Sequence, residues 1–113
     1  MPLVLPSSAI VREVGLRDGL QSLPRTLPTE LKQRWIRAAH DAGQREIEVG
    51  SFVPARLLPQ MADTDALVAY ARTLPGLSVS VLVPNVQGAD RALDAGAHLM
   101  LVPLSASHAH SLA

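Results

Sequence analysis

Ile10-Val11-Arg12-Glu13-Val14-Gly15-Leu16-Arg17-Asp18-Gly19-Leu20-Gln21 is a β-branched run that stops on a glycine and then delivers a cation, a carboxylate and an amide. Residues 10–14 read as a strand bounded by Gly15. The polar residues just past that strand decide the fold, because the same pairing of strand end and polar residue recurs down the chain.

Pro28 suits the first turn of a helix, with Glu30 near its positive end. Leu31, Trp35, Ile36, Ala39 and Ala42 then fall at helical spacing, and Gly43 reads as the glycine that ends the helix. Residues 46–49 are a short strand closed by Gly50. Residues 51–60, SFVPARLLPQ, are a Pro-punctuated loop. A second helix is expected over about Met61–Thr73, with Leu67, Val68, Ala71 and Leu74 buried. Residues 77–83 are a third strand, Val86–Ala95 a third helix, residues 98–102 a fourth strand, and the last ten residues a polar loop. Asp41-Ala42-Gly43 and Asp94-Ala95-Gly96 repeat one device, a helix exit that turns straight into a strand.

The order βαβαβαβ implies parallel strands covered by helices. Arg17/Asp18, Glu48/Ser51, Asn85 and Ser105/Ser107 all lie at or just past C-terminal strand ends, which form a single ring in a barrel. An open sheet would be functional only at its switch point. The expected fold is α/β: the N-terminal half, about four βα units, of a (β/α)8 TIM barrel. A full barrel takes about 250 residues, so residues 1–113 are read as a partial TIM-barrel catalytic domain that stops after its fourth strand.

Composition narrows the partners. Apolar residues make up 48% of the chain and aromatics 3%, so the core is aliphatic. Ten basic and ten acidic residues leave no net charge. Without a basic stripe or stacking aromatics, nucleic acid is not expected as a ligand. No cysteine is present, which excludes disulfides, thiolate zinc sites and a cysteine nucleophile from these residues. Residues 1–10 lack a signal peptide's basic start, and no window reaches a membrane span. A cytoplasmic protein without membrane contact is the expectation.

Several side chains carry possible chemistry. Asp18 is a hard oxygen ligand suited to Mg2+ or Mn2+. Arg17 stays protonated and can hold a carbonyl oxygen as it becomes an enolate. The pair also fits an ordinary turn with a local ion pair. Glu46 and Glu48 share one face of their strand; one is expected to meet Arg45 or Arg12 at the barrel floor, and Glu48 lies nearer the site. Glu13 reads as a buried structural partner. Asn85 fits a helix N-cap or a ligand, and Gln21 a loop cap or a site residue. His108-x-His110 fits a metal pair if extended, or a solvated loop. The glycines make no nucleotide-binding loop.

GLRDGLQ (Gly15–Gln21), IEVGSFVPARLLPQMAD (Ile47–Asp63) and VLVPN (Val81–Asn85) resemble, in order and spacing, the 3-hydroxy-3-methylglutaryl-CoA lyase family of metal-dependent (β/α)8 barrels. The SFV…PQMAD loop carries the resemblance to the lyase branch, with its first proline next to Val53. The resemblance implies Asp18 as a ligand of a divalent metal and Arg17 on the acyl carbonyl of an acyl-CoA substrate. It implies Glu48 as a supporting catalytic residue, and Gln21, Ser51 and Asn85 in the substrate pocket. It further implies cleavage to acetoacetate and acetyl-CoA, in a full-length form that is a homo-oligomer. The family's other ligands, an H-x-H and an Asn, and its catalytic Cys have no counterpart here, and His108 and His110 do not take that role. The fragment alone is therefore expected to be inactive. The alternatives are a lyase for a related 3-hydroxyacyl-CoA, a synthase or decarboxylase of the same superfamily, and a non-catalytic truncated product.

Overall fold

Alternating β-rich and helix-periodic segments produce a layered α/β structure. The structure, a computed structural model, describes residues 2–112. Strands β1 (Arg12–Glu13), β2 (Glu46–Ser51), β3 (Ser78–Leu82) and β4 (Leu99–Leu101) form one parallel sheet in the order β1-β2-β3-β4. Helices α1 (Thr29–Asp41), α2 (Thr64–Ala71) and α3 (Val86–Ala95) connect them. Parallel strands require such crossovers, and the helices bury one face of the sheet. Gly43 and Gly96 both take positive φ, 103° and 86°, so the two Asp-Ala-Gly exits are the same left-handed stop.

The core lies between the sheet and the helices. Ile47, Val49, Val79 and Val81 point from the strands onto Ile36, Leu67, Val68, Ala71 and Ala92. The other face is polar at its floor. Arg12 pairs in register with Glu46 and Glu46 with Ser78, and Arg12 Nε donates to Glu46 Oε2 at 2.7 Å. The expected floor ion pair is thus made with Arg12.

Four expectations shift. The first strand shortens to Arg12–Glu13, the residues that find ladder partners on β2. The second helix divides into a 3₁₀ turn, Pro59–Met61, and α2, with the Thr64 hydroxyl donating to the Met61 carbonyl at 2.7 Å between them. On α1 the buried residues are Lys32 and Ile36, whereas Leu31 and Trp35 lie partly in solvent. Trp35 instead covers Gly15, where an added Cβ would sit 2.8 Å from its ring. The tail carries a short helix, α4 (His108–Ser111), capped by the Ser107 hydroxyl accepting from His110 N–H at 3.3 Å. This puts His108 and His110 on a helical turn, where i and i+2 do not share a face; the extended metal-pair geometry is not formed.

The radius of gyration is 15.3 Å, above the ~13 Å of a compact domain of about 100 residues. The sheet is open, and β1 and β4 each have one unpaired edge among the described residues. Exposed parallel edges pair with other chains. The 113-residue chain on its own is expected to self-associate. A monodisperse monomer by light scattering, unfolding cooperatively, would refute this.

Candidate functional site

The turn after β1 owes its shape to a wide helical ring. The Val14 carbonyl accepts from both Arg17 N–H and Asp18 N–H, at 3.1 and 2.8 Å, and Leu20 N–H reaches back to Gly15 O. Residues Gly15–Gly19 form a single π-helical turn, a geometry that recurs at functional sites. Leu16 and Leu20 are buried and pin the turn to the core. Gly15 N–H donates to Glu13 Oε1 at 2.8 Å. A side chain at Gly15 would clash with that carboxylate and with Trp35. Glu13 therefore serves the turn structurally, as expected.

With the leucines inward, Arg17 and Asp18 are presented at the strand end. Arg17 Nε donates to Glu48 Oε2 at 2.8 Å, and Arg17 Nη1 lies 3.4 Å from Asp18 Oδ1. Glu48 is fully buried, while the Asp18 side chain is 70% exposed. These environments divide the labour. A carboxylate removed from water needs a charge partner, so Glu48 holds the guanidinium in one orientation. Arg17 keeps Nη2 donors for a ligand. Asp18 presents a nearly free carboxylate beside it.

β2 reaches this position through an irregularity. Its register with β3 shifts between Glu48 and Gly50, as in a β-bulge, a device that re-aims side chains near sites. Gly50 lies against Thr64, with which any Cβ would collide. The Thr64 hydroxyl accepts from Ser51 N–H at 3.2 Å, which fastens the strand end to α2. Glu48 and Ser80 are register partners. Glu48 Oε1 and Ser80 Oγ are both buried without a hydrogen-bond partner among the described residues, as are Ser51 Oγ and Gln21 Oε1. Such groups are costly unless something else meets them.

Of the residues expected at the site, Arg17, Asp18 and Glu48 are in direct contact. Among the described residues no side-chain hydrogen bond joins Gln21, Ser51 or Asn85 to that group. Asn85 caps α3, its Oδ1 accepting from Gly88 N–H at 2.8 Å. Its residue type already allowed that role. Sequence reading missed Lys32, Gln60 and Asp63. Lys32 Nζ donates to Gln60 O at 2.6 Å and to Asp63 Oδ1 at 2.8 Å, and Gln60 Nε2 donates to Gln21 O and Leu23 O at 3.2 and 2.7 Å.

A divalent cation fits part of this arrangement. Asp18 is a hard, accessible oxygen donor. Among the described residues no three His, Cys, Asp or Glu side chains come together as a metal-holding group. No helix among those residues is long and apolar enough to cross a membrane.

Known proteins share this arrangement of elements. Residues 9–112 match the family described as HMGL-like. The chain is 41% identical over 107 residues to the cytoplasmic 3-hydroxy-3-methylglutaryl-CoA lyase of Rattus norvegicus, covering 95% of this chain and 31% of that protein. It is 38% identical to the 3-hydroxy-3-isohexenylglutaryl-CoA/hydroxy-methylglutaryl-CoA lyase of Pseudomonas aeruginosa, covering 95% and 36%. The crystal structure of hydroxymethylglutaryl-CoA lyase from Pseudomonas aeruginosa superposes with a TM-score of 0.86 at 38% identity, over 95% of this chain and 36% of that one. An HMG-CoA lyase from Acinetobacter baumannii, in complex with coenzyme A and 3-methylmalate, gives 0.83 at 36% identity, over 91% and 34%. The chain spans about a third of the length of the curated relatives it matches. Its four βα units correspond to part of a (β/α)8 barrel. A match along nearly the whole sequence, with the same strand order, makes one assignment: the chain belongs to the HMGL-like family.

Proposed function

We propose that these residues form one sector of a carbon–carbon lyase site that, within a complete barrel, cleaves 3-hydroxy-3-methylglutaryl-CoA to acetoacetate and acetyl-CoA. The observation that carries the reading is a guanidinium fixed by a buried carboxylate beside an exposed one. A general base takes the proton of the tertiary hydroxyl, and the C3–O bond becomes the ketone of acetoacetate as the C2–C3 bond breaks. The electron pair of that bond passes to the thioester as an enolate, which is then protonated to acetyl-CoA. Arg17 donates to the acyl oxygen where that charge collects, which is where a pre-aimed cation lowers a barrier most. Glu48 keeps the guanidinium aimed and stays clear of bulk water. Gln21, Ser51 and Asn85 line the acyl-CoA pocket, the first two with buried oxygens still free to accept or donate. Asp18 would hold a divalent ion, Mg2+ or Mn2+, with its remaining ligands drawn from outside residues 1–113. Such an ion, when bound, acts as a Lewis acid on the substrate oxygens. The assembled protein is read as a cytoplasmic homo-oligomer, like the cytoplasmic rat relative in compartment.

The Pseudomonas aeruginosa relative, which carries two substrates in its name, favours a second reading: a longer, branched 3-hydroxyacyl-CoA. Turnover of the two thioesters by the complete barrel decides between them, and cleavage of neither would remove the lyase reading.

Asp18→Asn keeps an oxygen but loses the charge. It is expected to weaken divalent metal binding at least about tenfold and to lower kcat, measured by metal titration and by acetoacetate release. Unchanged metal affinity would remove Asp18 from the ligand set.

A further inference from the structure

The loop between β2 and α2 does more than connect them. Its turn at Pro59–Met61 reaches back across the fold to the segment that leaves the Arg17–Asp18 turn. Gln60 has two amide hydrogens, and the carbonyls of Gln21 and Leu23 take them, at 3.2 and 2.7 Å. The amide orientation is fixed by this, because the reverse would set its oxygen against two carbonyls. Gln21 ends the helical stretch that continues the turn, and Leu23 lies in the bend just beyond it. The Pro59–Met61 turn is itself held. Lys32, only 1% exposed, donates to the Gln60 carbonyl and to Asp63, and Thr29 Oγ1 donates to Asp63 Oδ2 at 2.8 Å. α1, the Gln21–Leu23 segment and the 59–63 segment are therefore one hydrogen-bonded unit.

We propose that Gln60 is a positioning residue of the site. Its carboxamide fixes the downstream end of the turn whose upstream end is fixed by Leu16 and the Glu13–Gly15 contact. Between the two anchors, Arg17 and Asp18 hold their places relative to Glu48. Lys32 and Asp63 supply the rigid backing that keeps Gln60 from moving with its own loop. The turn after β1 and the loop after β2 thus act as one body, and neighbouring sectors of the site stay in register. A displacement of about 1 Å in reacting groups costs on the order of 100-fold in rate. The consequence for turnover rests on the lyase reading; the positional role does not.

The test uses Gln60→Met and Gln60→Glu in the complete barrel. Both remove the donors, and the second covers the case in which the first fails to fold. Amide hydrogen exchange in a peptide spanning residues 14–23 is expected to quicken about tenfold or more, with β2 and β3 unchanged. In parallel, kcat for 3-hydroxy-3-methylglutaryl-CoA is expected to fall about 10–100-fold, with KM within about threefold. Unchanged exchange in residues 14–23 would overturn the proposal. So would equal acceleration throughout the sheet, which marks a merely structural residue. If the unsubstituted barrel cleaves no such thioester, the lyase reading fails while the exchange result still decides the role of Gln60.

Discussion

Arg17→Met is expected to lower kcat about 10²–10³-fold, the typical loss when one preorganised donor to a developing oxyanion is removed. Methionine keeps much of the side chain's length and apolar stem, so packing around the turn changes little. Two things are lost together. The acyl oxygen loses its donor, and Glu48 Oε2 loses its 2.8 Å partner while fully buried. The second loss lowers stability as well as rate, because a buried carboxylate without a partner is costly. Glu48→Gln separates them, since its carbonyl still accepts from Arg17 Nε, no buried carboxylate is stranded, and Asp18 stays beside the guanidinium. It is expected to cost less in kcat than Arg17→Met. Steady-state kinetics with metal titration provides the check. Arg17→Met should retain the metal, so lost metal affinity with kcat preserved would reverse the roles given to Arg17 and Asp18.

Asp63→Ala is expected to have the largest effect on stability, about 3–5 kcal/mol, by leaving the Lys32 ammonium buried and uncompensated. Only the Gln60 carbonyl would remain near it. Urea unfolding of the complete barrel should show a lower midpoint at an unchanged slope. Replacing both partners, Lys32→Met with Asp63→Leu, should recover most of the loss, because an apolar pair of similar size carries no stranded charge. Equal destabilisation by the single and double substitutions would mean that packing, not charge, sets the cost.

These residues mark where the sequence was readable. Alternation on β2 placed Glu46 and Glu48 together and anticipated an arginine at the floor, because side-chain direction in a strand is a local property. The two Asp-Ala-Gly exits were legible for the same reason: left-handed backbone at a helix end selects glycine locally. Lys32 was not legible. A lysine on an amphipathic helix reads as solvent-facing, and the partners that bury it, Gln60 and Asp63, are 28 and 31 residues away. With Lys32 inside, the helix turns so that Leu31 and Trp35 reach the surface. The π-helical turn was likewise seen only as a glycine turn. Its hydrogen bonds are set by Leu16 and Leu20 packing on the core, a tertiary effect. Arg17 and Asp18 were found by residue type, while their pairing with Glu48 depended on a register shift that no short window contains.

The strand order also bears on how the fold forms. Each strand pairs with the next one in the chain, roughly 20–35 residues on. Contacts of that range are short for a parallel sheet, so assembly can proceed unit by unit as the chain leaves the ribosome, each new βα segment docking on the last. The exception is the outer edge of β1, whose two ladder residues, like those of β4, are paired on one side alone among the described residues. It is the place where a growing polypeptide stays open longest, and it adjoins the turn that carries Arg17 and Asp18. A chaperone or a stray β-segment would meet the nascent chain there first.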